Sequence, residues 1–199
     1  MKAKEIQPAS PPSVCDAATV AYIAVGSNIE PERHVLRALE HLACRVRITG
    51  VSTFYRTPAI GTADQADYLN GVVRIETPLS PRELKFGVLR EIEAQEGRVR
   101  SGDKYGPRTI DLDLALYGDL VIMDEDLTVP APEIETRVFV SVPLCELDPD
   151  LRLPGKGTRI ADLVGEADRQ SLRPQIEFTQ TLRQRLGIDL DGQRRPLEK

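Results

Sequence analysis

The 199-residue chain has little of what marks a secreted, membrane-spanning or nucleic-acid-binding protein. Its three cysteines, Cys15, Cys44 and Cys145, are far apart and form no C-x-x-C pair. That spacing argues against a disulfide framework and against a cysteine-based zinc site. They read as reduced thiols, with Cys44 and Cys145 buried, and a cytoplasmic location is the default. No apolar run approaches the roughly 18 residues that a membrane helix needs. The N-terminal stretch, broken by Pro8, Pro11 and Pro12, lacks the apolar core of a signal peptide and reads as a flexible lead-in.

Positive charge is also short. There are 26 Lys and Arg against 31 Asp and Glu, a net charge of −5 and a pI of about 5.2. A surface holding nucleic acid mainly by its phosphates would be basic, so neither nucleic acid nor membrane is an expected partner. The only two histidines, His34 and His41, lie seven residues apart on a predicted helix. They are then about 10.5 Å apart along its axis, too far for one metal, and read as surface residues.

What is present is enough apolar content, 41%, for a packed core. Residues 19–26 (TVAYIAVG) read as a buried first strand. A helix is expected over about 31–44, with Pro31 in its first turn and Val35, Leu36, Leu39, Leu42 and Ala43 on one face. Residues 46–56 and 68–76 read as strands. Ser80 and Glu83 have the spacing of a capping box opening a second helix, with Leu84, Val88, Leu89 and Ile92 inward and an end near Gly97. Residues 109–117 (TIDLDLALY) alternate, with Ile110, Leu112, Leu114 and Leu116 facing the core. The order β, α, β, β, α, β predicts an α+β fold. The expected form is a ferredoxin-like sandwich with a mainly antiparallel sheet and helices packed on one face. The expected division is a flexible extension over 1–18, a folded domain over 19–159 and a partly ordered C-terminal extension over 160–199. Within the last, Ile160, Leu163 and Val164 form one docking turn.

Asp111 and Asp113 carry the first chemical signal. Residues two apart on a strand point to the same side with Cα atoms about 6.5–7 Å apart. A rigid pair of carboxylates suits a hard cation such as Mg²⁺. A bare D-x-D is nonetheless more often two solvated aspartates. Just upstream, Arg98, Arg100, Lys104 and Arg108 place four cations within eleven residues. Forked guanidinium donors beside a metal platform are what a triphosphate requires.

The string 106–114 (GPRTIDLDL) resembles the signature of the 6-hydroxymethyl-7,8-dihydropterin pyrophosphokinase family. Residues 21–28 (AYIAVGSN), 54–61 (FYRTPAIG), 67–70 (DYLN), 93–100 (EAQEGRVR) and 127–144 resemble the same family in the same order, over about 19–155. The resemblance implies an enzyme of folate biosynthesis that uses ATP and two Mg²⁺ ions, and a cytoplasmic monomer is expected. Asp111 and Asp113 would hold the metals. Arg98, Arg100, Arg108 and Arg137 would contact the ATP phosphates. Leu114 and Thr128 would lie near the adenine, and Tyr105 in a loop closing over both substrates. Tyr68 and Phe139 would sandwich the pterin, Asn70 would bond its edge, and the backbone around Thr57, Pro58 and Ile60 would read its other polar atoms. Flat polar rings do bind well between aromatic faces with amides at the rim.

The chain departs from the family pattern at Ala131, where a histidine is usual, at Tyr105, where some members carry tryptophan, and at Arg90, often glutamine. Two other readings therefore stand beside the enzyme: a non-catalytic pterin- or nucleotide-binding module, and a metal-dependent hydrolase using the acidic pair.

Overall fold

The computed structural model describes residues 18–59, 65–98, 106–189 and 191–193. Strand β1 (Thr19–Ser27) is followed by helix α1 (Pro31–Ala43), β2 (Arg47–Val51), β3 (Tyr55–Thr57) and β4 (Tyr68–Thr77). The predicted second strand is thus two, interrupted at residues 52–54. A helix over 81–95 follows, π-helical at Glu83–Leu89 and ending as α2 (Arg90–Gln95). Then come β5 (Asp111–Tyr117), the short strands β6 (Ile122–Met123) and β7 (Thr128–Val129), and helices α3 (Glu133–Thr136) and α4 (Val138–Leu147). The chain continues through a 3₁₀ turn (Ile160–Leu163), α5 (Glu166–Ser171), β8 (Arg173–Pro174) and α6 (Ile176–Leu186).

The main sheet runs β5-β1-β4-β3-β8, with β2 also paired to β4, and every pairing in it is antiparallel. One face is covered by α1, the 81–95 helix and α6. Val35, Leu39, Leu42, Leu84, Leu89, Ile92 and Leu182 meet Ile23, Val25, Leu112 and Leu114 there. Each fully buried Leu or Ile contributes about 1.5–3 kcal/mol. The second helix starts as its sequence predicts: the Ser80 N–H and hydroxyl reach Glu83 Oε2 at 2.9 and 2.7 Å, and the Glu83 N–H returns to Ser80 Oγ.

Helices are not confined to one face. The apolar segment starting at Val138 forms α4, which packs on the other side of the sheet with Ile134 and Ile160 against Tyr22, Val72, Ala115 and Leu116. Sequence alternation misassigned Leu116 for a related reason. The β1–β5 register slips between Tyr22 and Ile23, so Ala115 is an extra residue on β5. Beyond this bulge the faces exchange: Leu116 joins the α4 side, and Tyr117 turns back to donate to Leu79 O at 2.6 Å.

Two further expectations are corrected. Cys44 is exposed because α1 ends at Ala43, whereas Cys145 is buried in α4. His34 is no surface residue: its side chain is 12% exposed, with Nδ1 2.8 Å from Glu96 Oε2. His41 Nε2 lies 3.5 Å from Oε1 of the same carboxylate, because the end of the 81–95 helix butts against α1 between the two histidines. In the C-terminal segment, β8 extends the sheet and Leu182, Leu186 and Ile188 enter the main core. Among the described residues, no helix is long and apolar enough to cross a membrane.

Candidate active site

The face of the sheet opposite α1 has a low floor. Across the strands, Asp111 of β5 pairs with Gly26 of β1, Gly26 with Asn70 of β4, and Asn70 with Tyr55 of β3. The next row runs Asp113, Ala24, Val72. Small residues on the central strand leave a hollow with carboxylates on one rim and an amide on the other. The first turn of α4, with Arg137 and Phe139, closes one side, and the segment ending at Arg108 closes the other. The resulting cleft encloses about 220 Å³. It is lined by Thr57, Pro58, Tyr68, Asn70 and Phe139, and also by Arg108, Asp111, Asp113, Arg137, Ala131 and Glu133.

The amide of Asn70 is fixed. Its Nδ2 donates to Thr57 Oγ1 at 2.7 Å, and its Oδ1 stands over Gly26. A Cβ on residue 26 would lie 2.8 Å from that oxygen. The amide therefore offers an acceptor to the cleft, as a ring edge rich in N–H groups requires. Tyr68 stands beside Gly26, and its hydroxyl donates to Gly106 O at 3.2 Å.

The acidic pair is held by cations. Asp111 accepts from Arg98 through Oδ1 and from Arg108 through Oδ2. Lys85, from the π-helical stretch, reaches Asp113 Oδ1 at 3.1 Å. Arg98 also donates to Glu93, whose buried carboxylate accepts from the Leu112 N–H at 2.9 Å. Burial of the Arg98 guanidinium opposes its charge, but Asp111 and Glu93 beside it more than compensate, so its pKa stands above the usual arginine value. Arg108 is anchored through its backbone. Its N–H donates to Asn28 Oδ1 at 2.8 Å, and its carbonyl accepts from the Asn28 N–H at 3.1 Å. Ser27 Oγ donates to Thr109 O at 2.5 Å.

The structure brings most of the expected residues together and separates some. Leu114 is buried in the core on the far side of the sheet, because it has the opposite parity to Asp113, and it does not line the cleft. Thr128 is exposed on the β6–β7 ribbon and does not line the cleft. Arg98 stands behind Asp111 rather than on the cleft wall. Ile60, Arg100 and Tyr105 lie outside the described residues. Arg90 stacks over the Phe86 ring at 4.3 Å. Sequence reasoning missed Gly26, Ser27, Asn28, Lys85 and Glu93. A Gly-Ser-Asn run at a strand end and a helical Glu five residues before Arg98 are weak local signals; only tertiary contact gives them roles.

The donor set fits a hard divalent cation. Asp111 and Asp113 offer oxygen ligands from one strand face, whereas no cluster of three or more His, Cys, Asp or Glu suited to a metal occurs among the described residues. Mg²⁺ is commonly held by one or two carboxylates plus substrate phosphates, so two aspartates suit an ion arriving with a nucleotide.

The family model of 7,8-dihydro-6-hydroxymethylpterin-pyrophosphokinase (HPPK) matches residues 22–149. A 2-amino-4-hydroxy-6-hydroxymethyldihydropteridine pyrophosphokinase of Haemophilus influenzae is 41% identical over 158 residues, covering 77% of this chain and 96% of the relative. The enzyme of the same description from Bacillus subtilis is 44% identical over 131 residues, 64% of this chain and 77% of that one. In structure, the chain resembles a Plasmodium falciparum HPPK-DHPS complexed with pteroate, with a TM-score of 0.58 at 13% identity. That match covers 76% of this chain but only 43% of the Plasmodium chain, and it concerns the fold alone. On the strength of the matched sequence and its relatives, the chain belongs to the 7,8-dihydro-6-hydroxymethylpterin-pyrophosphokinase family.

Proposed function

We propose that this protein transfers the pyrophosphoryl group of ATP to the hydroxymethyl oxygen of 6-hydroxymethyl-7,8-dihydropterin, a step of folate biosynthesis. The observation that carries this reading is the single cleft in which Tyr68, Asn70, Thr57 and Phe139 face Arg108, Arg137, Asp111 and Asp113. One half suits a flat heterocycle with a polar edge; the other suits a polyphosphate with its cations. The strand order β5-β1-β4 followed by β2 and β3 supports the ferredoxin-like reading of the fold. Residues 19–159 form the proposed catalytic unit of a cytoplasmic monomer, and the flanking segments are extensions.

The pterin oxygen attacks the β-phosphorus as the β-phosphorus–oxygen bond to the α-phosphate breaks. AMP leaves with the bridging oxygen, and the hydroxyl proton passes to solvent. Such transfers depend on positioning and charge neutralisation more than on covalent help from the protein. Phe139 and Tyr68 hold the ring, and the Asn70 amide fixes its rotation and so aims the hydroxymethyl arm. Arg108 and Arg137 offset the charge that builds on the phosphate oxygens. Asp111 and Asp113 would hold two Mg²⁺ ions, which when bound supply Lewis-acid stabilisation to the phosphates. Glu93 keeps Arg98 beside Asp111. No side chain is required as general base.

Ala131 favours a second reading, a pterin-binding module without turnover, since it lines the cleft where the family usually carries histidine. The two readings separate in one assay of AMP release from Mg-ATP with and without the pterin. Pterin-dependent AMP supports the enzyme. Pterin binding without AMP supports the module, and ADP as product refutes the pyrophosphoryl transfer.

A further inference from the structure

We infer that β8, α6 and residues 191–193, all beyond the stretch matched by the family model, act as a brace that positions the pterin-facing edge of the cleft. The inference rests on the pterin half of the site proposed above. It starts from a weakness in the sheet. Residues 52–54 break the strand between β2 and β3, and β3 is only three residues long. Yet β3 and its successor supply Thr57 and Pro58 to the cleft. A short strand beyond a break has few backbone partners of its own, and unpaired buried amides are costly.

The C-terminal segment supplies those partners one by one. The Phe54 N–H donates to Thr179 Oγ1 at 3.0 Å, and the Phe54 carbonyl accepts from the Gln175 N–H at 2.8 Å. β8 pairs along the open edge of β3, setting Tyr55 against Pro174 and Arg56 against Arg173. Arg183 Nε donates to Val51 O at 3.0 Å, and the Val51 N–H donates to Gly192 O at 2.8 Å. Gly192 approaches so closely that a Cβ there would lie 2.5 Å from Val51 O, at a φ of +80° that also favours glycine.

Packing follows the same line. The fully buried Phe54 ring is wedged between Phe178 of α6, edge-on at 5.8 Å, and Gly71 of β4, where a Cβ would meet the ring at 2.8 Å. Gly71 adjoins Asn70. On the opposite side of β3, Thr57 Oγ1 accepts from Asn70 Nδ2 and so sets the amide that faces the cleft. The brace therefore acts from the back and the edge of β3, touching no expected ligand contact, while Thr57 carries its effect to Asn70. Thr179 is a positioning residue in this scheme.

The test compares the full-length protein with Thr179→Val and Thr179→Ser. The readouts are the Kd for 6-hydroxymethylpterin, the Kd for a non-hydrolysable ATP analogue with Mg²⁺, and Tm. Valine keeps the branched shape but removes the acceptor for the Phe54 N–H; serine keeps the acceptor. Loss of that buried acceptor is expected to raise the pterin Kd about fivefold, with the nucleotide Kd within about twofold of wild type and serine restoring pterin affinity. If Thr179→Val lowers Tm but leaves the pterin Kd unchanged, or raises both Kd values equally, the brace is merely structural and the inference fails. A wild-type protein that binds no pterin overturns the reading of the site and the brace together.

Discussion

Single side chains decide the chemistry of the cleft, and two of them make sharp predictions. Gly26 is required because Asn70 Oδ1 occupies the space a methyl group would take. Gly26→Ala should displace that amide and raise the pterin KM at least about fivefold, since a buried bond to the ring edge is worth about 1–3 kcal/mol. Tm should change little, because β1 remains paired on both sides. A pterin KM unchanged in this variant would remove Asn70 from the recognition scheme. Lys85 makes the second prediction. Its ammonium sits on Asp113, where it competes with any metal. The pair is half-exposed and worth about 0.2–1 kcal/mol, so Lys85→Met should tighten Mn²⁺ binding up to about fivefold. Electron paramagnetic resonance of free Mn²⁺ with an ATP analogue present reads this directly. Weaker metal binding in the variant would mean that Lys85 assists the site instead of opposing it.

Elements were legible in the sequence wherever local chemistry set them. The Ser80–Glu83 capping box formed as its spacing required, and Pro31 opened α1. Ser80→Ala should cost about 1 kcal/mol and lower Tm by a few degrees, without changing pterin affinity, since the cap lies at the helix end remote from Arg98. An unchanged Tm would mean that tertiary packing alone holds that turn. Local reasoning failed where distant residues took over. The bulge at Ala115 depends on how β5 meets β1, and no feature within TIDLDLALY announces it. Likewise the buried position of His34 follows from contact with Glu96, sixty-two residues away. The run VFVSVPL, apolar except for Ser141, offers no period to choose between strand and helix. As α4 it is buried at nearly every position, which such a run permits.

At the scale of the molecule, the site exists because the sheet has two differently built faces. One is filled by large aliphatic side chains under α1, the 81–95 helix and α6. The other is kept open by Gly26 and Ala24 between Asp111, Asp113 and Asn70, and walled by the start of α4. The acidic pair, Asn70, Arg108 and Phe139 were visible in the sequence by motif. Their support was not: Glu93 behind Arg98, Asn28 behind Arg108 and the C-terminal segment behind β3 are contacts across long separations. In the proposed reaction the two halves of the cleft act together, delivering the β-phosphorus of ATP to the pterin arm. Phosphorus-31 NMR of the products of Mg-ATP and 6-hydroxymethyl-7,8-dihydropterin reads that transfer without an indirect assay. The expected result is equal amounts of AMP and a pterin ester carrying two coupled phosphorus signals; a pterin monophosphate with ADP, or free pyrophosphate with unmodified pterin, would contradict it.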